Sequence, residues 1–149
     1  MSHSAFELHV TADAGDPRAE SVLGWLRAFN LENSPLREMN ASVPLRVFAS
    51  DESGLIGGLL GETHVKWLKI SILAVNPEHR KNGVGKALMA EAERDAIARG
   101  CTHVFVDTMS YQAPQFYIRL GYKIAAEIAD WDSMGHAKFF LTKDLGGPA

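Results

Sequence analysis

The stretch Asn76-Pro77-Glu78-His79-Arg80-Lys81-Asn82-Gly83-Val84-Gly85-Lys86 sets two glycines among three cations, between an apolar run and a helical pattern. Glycines at 83 and 85 let backbone N–H groups turn inward with no Cβ in the way. A helix start adds unpaired donors and the positive end of its dipole. With Arg80, Lys81 and Lys86 supplying charge, the segment is shaped to hold an anion. A Walker loop would need Gly at position 80 and Ser or Thr after Lys86, where this chain has Arg80 and Ala87, so nucleoside triphosphate hydrolysis is disfavoured. The dinucleotide fingerprint fails as well, because its third glycine would fall at Leu88 and the opening β-α-β signature is missing. Taken alone, a short Gly-x-Gly is also an ordinary helix-entry turn.

Other candidate groups are scattered. Tyr117 follows Phe116 on a short amphipathic pattern and is either a core aromatic or a phenol available for proton transfer. Glu62 and His64 stand two apart near the end of one strand and before Trp67, so alternation points them to one face; each is a solvated strand residue or a base. The six histidines form neither a helical pair nor a cluster with cysteine, which leaves a metal site without support. Cys101, the lone cysteine, cannot form an internal disulfide and reads as a small buried hydrophobe.

These residues must be positioned by elements that the pattern foretells. Residues 5 to 11 alternate with period two and are expected to open the fold as a strand. Asp16-Pro17 starts a helix carrying Val22, Trp25, Leu26 and Phe29 at helical spacing, ending near Asn30. Residues 31 to 43 are poorly patterned, with a short helical turn expected over 36 to 40, and are the expected mobile segment. Residues 44 to 50 and 55 to 63 flank Asp51-Glu52-Ser53-Gly54 as a hairpin, where Gly57, Gly58 and Gly61 mark a bulge, a close approach or a loose edge. A strand over 66 to 75, a helix over 84 to 99 stopped by Gly100, a strand over 102 to 108, a short helix over 113 to 120 and strands over 122 to 129 and 137 to 143 complete the order. This β-α-β-β-β-α-β-α-β-β order predicts an α/β (α+β) fold, a mixed sheet with helices on its faces.

At 149 residues, with 46% hydrophobic and 22% charged residues, the chain has the size and composition of one globular domain over 1–149. No apolar run approaches the roughly 20 residues of a membrane span, and the N-terminus lacks the order of a signal peptide. A soluble, cytoplasmic protein with no membrane partner is therefore expected. Fifteen Lys+Arg against eighteen Asp+Glu give a net charge of -3, which argues against a nucleic-acid surface.

Over about residues 55 to 143 the sequence resembles the GNAT superfamily of acyl-CoA-dependent N-acetyltransferases. Arg80, Gly83 and Gly85, after Ile70-Ser71-Ile72-Leu73-Ala74-Val75, match its first signature, Arg or Gln, two residues, Gly, one residue, Gly or Ala. Ala113-Pro114-Gln115-Phe116-Tyr117-Ile118-Arg119-Leu120-Gly121-Tyr122 resembles its second, Ala-x-x-Phe-Tyr-x-Lys/Arg-x-Gly-Phe/Tyr. The resemblance implies a mostly antiparallel sheet of about seven strands, with helices on both faces and a cleft where strand 66 to 75 splays from strand 102 to 108, the family's β4 and β5. It also implies acetyl-CoA as cosubstrate. Backbone amides of Asn82, Gly83, Val84, Gly85 and Lys86 would grip the pyrophosphate, and the edge of Leu73, Ala74 and Val75 would pair with the pantetheine arm. Tyr117 would protonate the leaving thiolate, and a backbone N–H at the strand's end, Val75, would meet the oxyanion. Many family members carry Asn where this chain has Ser110, so a CoA contact there competes with a capping role at a helix from Tyr111.

Asp107 and Thr108 are candidates for the acceptor side or for capping. Glu32, Glu38, Asp130 and Asp132 with Trp25, Trp67 and Trp131 form either a cation site or a set of solvated loop charges. The expected activity is acetyl transfer from acetyl-CoA to the primary amine of a small, cationic acceptor by direct attack. A protein or peptide acetyltransferase and a silent acyl-CoA-binding module are the alternatives, and a homodimer is the expected assembly.

Overall fold

The structure, a computed structural model, describes residues 6–34 and 41–146, and it divides into two units, 1–38 and 39–149. In the first unit the Asp16 carboxylate accepts from the Arg18 amide at 3.0 Å and helix α1 (Arg18–Asn33) follows. The helix runs one turn beyond Asn30, and the Asn33 side chain donates back to the Phe29 carbonyl at 2.8 Å. Residues 6–11 form no strand, contrary to the reading of their alternation. Alternation prepares two faces, but a strand exists only when another backbone pairs with it, and none of the sheet's ladders includes these residues. Residues 36–40, expected to form a helical turn, lie outside the described residues, as does Glu38.

The second unit holds a sheet of six strands in the order β1-β2-β3-β4-β6-β5, where about seven were expected. Strand β1 (Val43–Asp51) and β2 (Gly54–His64) form the anticipated hairpin around Glu52-Ser53, with Gly54 in the left-handed region at φ +110°. A two-residue turn at Val65-Lys66 leads to β3 (Trp67–Val75), antiparallel to β2. Helix α2 (Val84–Ala98) then crosses back, and β4 (His103–Met109) pairs parallel to β3. Helix α3 (Pro114–Arg119), β5 (Lys123–Ile128) and β6 (Lys138–Asp144) follow, and β6 inserts between β4 and β5. All pairings except β3 with β4 are antiparallel, so the sheet is mixed and mostly antiparallel.

The core forms where the apolar stripe of α2 meets the sheet. Leu88, Met89, Ala92 and Ala96 pack with Leu59, Leu68, Ile70, Val104, Val106 and Leu141, all buried. Each such leucine is worth roughly 1.5 to 3 kcal/mol of burial. The glycines of β2 have separate reasons. A Cβ at Gly57 would lie 3.1 Å from Val84 Cγ1 and 3.3 Å from Leu88 Cδ1, so this residue lets the start of α2 approach the sheet; one at Gly61 would lie 2.6 Å from the Lys69 carbonyl oxygen. Cys101 is buried in the same core, and burial pushes its thiol up.

Candidate functional site

Between Leu60 and Gly61 the β2–β3 register jumps, pairing Leu60 with Ile72 and Gly61 with Ile70, so Ser71 is an extra residue on β3. Such a bulge bends its strand and sharpens the local twist. Immediately past it the parallel ladder stops: β3 and β4 pair only from Trp67–His103 to Ile70–Val106, although β3 continues to Val75 and β4 to Met109. The strands splay, as expected for these two segments, and a cavity of about 670 Å³ opens between them. Ser71, Leu73, Ala74 and Val75 are on one wall and Val106, Asp107 and Thr108 on the other, and Arg80, Gly85, Tyr111, Gln112, Phe116 and Tyr117 are among the other lining residues. The Asn76 amide donates to Ile56 on β2 at 2.8 Å. Because successive amides of a strand point to opposite edges, those of Leu73 and Val75 lie on the edge that β4 leaves open.

At the cavity's end the chain makes a short 3-10 turn, Pro77–His79, whose first N–H, that of Glu78, donates to the Asn76 side chain at 3.0 Å. Arg80 Nε donates to the Val75 carbonyl at 3.3 Å, which ties the cation to the end of β3. Lys81 and Gly83 both lie in the left-handed region, at φ 69° and 79°. Gly83 immediately precedes the first residue of α2, and a Cβ built there meets nothing within 4 Å. This space fronts the first turn of α2, where the amides of Val84, Gly85 and Lys86 have no intrahelical acceptor. Gly85 is needed for a different reason: its Cβ would lie 3.3 Å from the Phe116 ring, so its absence lets α3 abut the start of α2.

Tyr117 is 8% exposed and lines the cavity, with Phe116 and Tyr122 edge-on to its ring at 5.1 and 5.8 Å. Burial raises its phenol above the ordinary value, and the charge of Asp107 raises it further. It is thus both a core aromatic and a cleft residue. Ser110 does not cap a helix, because α3 begins at Pro114, with Ala113 before it, rather than at Tyr111. The Ser110 amide instead donates to the Ala137 carbonyl at 2.8 Å, and the residue is absent from the cavity lining. Gln112, not singled out from the sequence, braces the bend: its Oε1 accepts from the Met109 amide at 2.7 Å and from the Thr108 hydroxyl at 3.2 Å.

Glu62 and His64 do share a face, but they line a second cavity of about 390 Å³ with Ser42, Trp67, Lys69 and Phe105. The Ser42 hydroxyl donates to Glu62 Oε2 at 2.5 Å. The 130–136 loop spends its acids on itself. Asp130 accepts from the Gly135 amide, and Asp132 accepts from the Met134 and His136 amides and pairs with the His136 ring. Both acids thus accept from amides of their own loop. Trp131 already carries a cation, Lys138, whose Nζ lies 4.4 Å from its ring centroid. Trp25 and Glu32 belong to α1 in the first unit. Among the described residues no His, Cys, Asp and Glu side chains gather as a metal site.

A mixed sheet whose central parallel pair splays into a cleft beside a glycine-bearing helix start is the arrangement that the resemblance to acyl-CoA-dependent acetyltransferases implies. A model of the acetyltransferase (GNAT) domain matches residues 44–124. Blasticidin-S acetyltransferase of Streptomyces morookaense is 38% identical over 120 residues, 77% of this chain and 85% of that one. Acetyltransferase Atu2258 of Agrobacterium fabrum is 33% identical over 117 residues, 76% of this chain and 82% of that one. A crystal structure of an acetyltransferase from Bacillus cereus ATCC 14579 superimposes with a TM-score of 0.82 at 25% identity, covering 92% of this chain and 97% of that chain. The chain belongs to the GNAT acetyltransferase family: it is an acyltransferase whose cosubstrate is acetyl-CoA.

Proposed function

We propose that the enzyme transfers the acetyl group of acetyl-CoA to a primary amine of a small, cationic acceptor, with the chemistry in the β3–β4 cleft. The observation that carries this reading is a buried neutral phenol, Tyr117, sharing one cavity with the open edge of β3. The pantetheine arm pairs with Leu73, Ala74 and Val75 as an added strand, and the pyrophosphate lies before Gly83 on the amides from Asn82 to Lys86, flanked by Arg80 and Lys81. This placement is supported by the space before Gly83 and by the unused amides of the first helical turn.

The acceptor nitrogen attacks the thioester carbonyl, forming the C–N bond while the C–S bond breaks. The Val75 N–H stabilises the oxyanion; Tyr117 gives its proton to the departing thiolate and is reprotonated, through water, by the proton that the attacking nitrogen sheds as it becomes an amide. The acceptor ammonium first loses one proton through water to Glu62 or His64, which line the second cavity. A cationic acceptor is favoured by the carboxylates of Asp107 and Glu62 and the rings of Trp67 and Phe105 along the strand pair. The name of the Streptomyces relative, which acts on blasticidin S, supports a small molecule over a protein.

The test is thiol release from acetyl-CoA against blasticidin S, aliphatic diamines, a lysine peptide and a peptide with a free α-amine, with the product identified by mass. Amide formation on the small amines at rates above both peptides is expected. Transfer confined to the peptides, or to no amine at all, contradicts the proposal.

A further inference from the structure

Lys138 is held where a lysine is ordinarily solvated. Its Nζ lies 3.3 Å from Asp107 Oδ1, 4.4 Å from the centroid of the Trp131 ring and 5.6 Å from that of Phe140, and only 20% of the side chain is exposed. The rings are themselves fixed: Trp131 stands edge-on to Phe140 at 6.2 Å, and Phe105 stacks on Phe140 at 6.1 Å. One carboxylate with aromatic walls attracts an ammonium group through its charge and the ring faces. Asp107 is at the same time the sole carboxylate among the described residues that line the cleft. The ladder explains the juxtaposition, since Asp107 lies opposite Phe140, and Met109 opposite Lys138, on paired strands β4 and β6.

We propose that Asp107, Trp131 and Phe140 form an ammonium subsite beside the cleft, that Lys138 fills it at rest, and that a second cationic group of the acceptor displaces Lys138 during binding. This inference rests on the small-amine reading above and narrows it, because the acceptor then carries two basic groups, one anchored by Asp107 and one acetylated. Lys138 acts as a tethered competitor. An acceptor with a single amine gains nothing from displacing it.

The site can be probed with n-butylammonium, which reproduces the end of a lysine side chain. Binding followed by NMR titration should be about tenfold tighter in Lys138→Ala than in the wild type, and Asp107→Asn in that background should abolish the gain. A second measurement leaves the wild-type protein intact: with 13C-labelled lysine, 1,5-diaminopentane should shift the Lys138 Cε resonance and should fail to do so in Asp107→Asn. Equal affinity of wild type and Lys138→Ala for butylammonium, a gain that survives Asp107→Asn, or a Lys138 resonance indifferent to the diamine overturns the subsite. Thiol release with the diamine is read separately. Turnover with an unresponsive Lys138 rejects the subsite and keeps the amine reading, whereas a responsive Lys138 without turnover on any amine does the reverse.

Discussion

Tyr117 must be protonated to serve as an acid, and its surroundings keep it so. Burial and the Asp107 charge both raise its phenol, so the deprotonated form appears only above the ordinary phenol value of about 10. The acceptor amine has the opposite need, since it attacks only when neutral. The rate should therefore rise from neutral to alkaline pH, with no descending limb below about pH 10; a pH–rate profile that falls between 8 and 9 would remove Tyr117 from this role. Glu62→Gln and His64→Ala should slow the reaction near neutrality and recover as alkaline pH supplies neutral amine, and a loss constant across pH would assign them to structure alone. At this scale the sequence was legible where a residue's partners lie close along the chain. Tyr117 and the glycine loop could be recognised because each motif carries its own element. For Asp130 and Asp132 two readings stayed open, because the bonds that the loop makes to its own carboxylates cannot be read from spacing. Lys138 gave no signal, because its partners come from β4 and from the loop before β6.

The cleft is an element-scale product of one extra residue. Ser71 shifts the β2–β3 register, and Gly61 faces that irregularity with no room for a side chain, 2.6 Å from the Lys69 oxygen at the Cβ position. Gly61→Ala should cost about 1 to 3 kcal/mol by chemical denaturation and lower acetyl-CoA affinity as the strands shift; unchanged stability would mean that the ladder relaxes freely. Gly83→Val adds strain at a left-handed position and a side chain in the open space before α2, so acetyl-CoA should bind at least about tenfold more weakly in calorimetry. Most elements were readable from periodicity and punctuation: the hairpin, α2 with its Gly100 stop, and the closing strands. The failures have one physical cause, that local pattern does not include the partner. Residues 6–11 alternate without a ladder, and the chain after β4 bends through Gln112 before α3 instead of capping a helix at Ser110.

Across the whole second unit, the two signature segments meet at Gly85 and Phe116, although some thirty residues of chain separate them. Their junction is backed by a second contact. The Tyr122 hydroxyl donates to Glu93 Oε1 at 2.7 Å, and Lys143 Nζ donates to Glu93 Oε2 at 2.8 Å, joining the chain after α3 to α2 and β6. Burial, followed by the Glu93 bond, pushes the Tyr122 phenol far up. The folded state thus keeps a proton that the unfolded chain releases above about pH 10, so stability should fall as pH rises beyond that value. Tyr122→Phe should cost about 1.5 to 3 kcal/mol at neutral pH and flatten this alkaline loss, which urea unfolding at two pH values would measure.

The most direct test of the cleft chemistry compares wild type and Tyr117→Phe in steady-state thiol release, with acetyl-CoA affinity measured on the same preparations. A turnover lowered about a hundredfold or more at unchanged acetyl-CoA affinity is the predicted result. Equal turnover under conditions where chemistry limits the rate, or a loss confined to acetyl-CoA binding, would contradict it and return Tyr117 to the core.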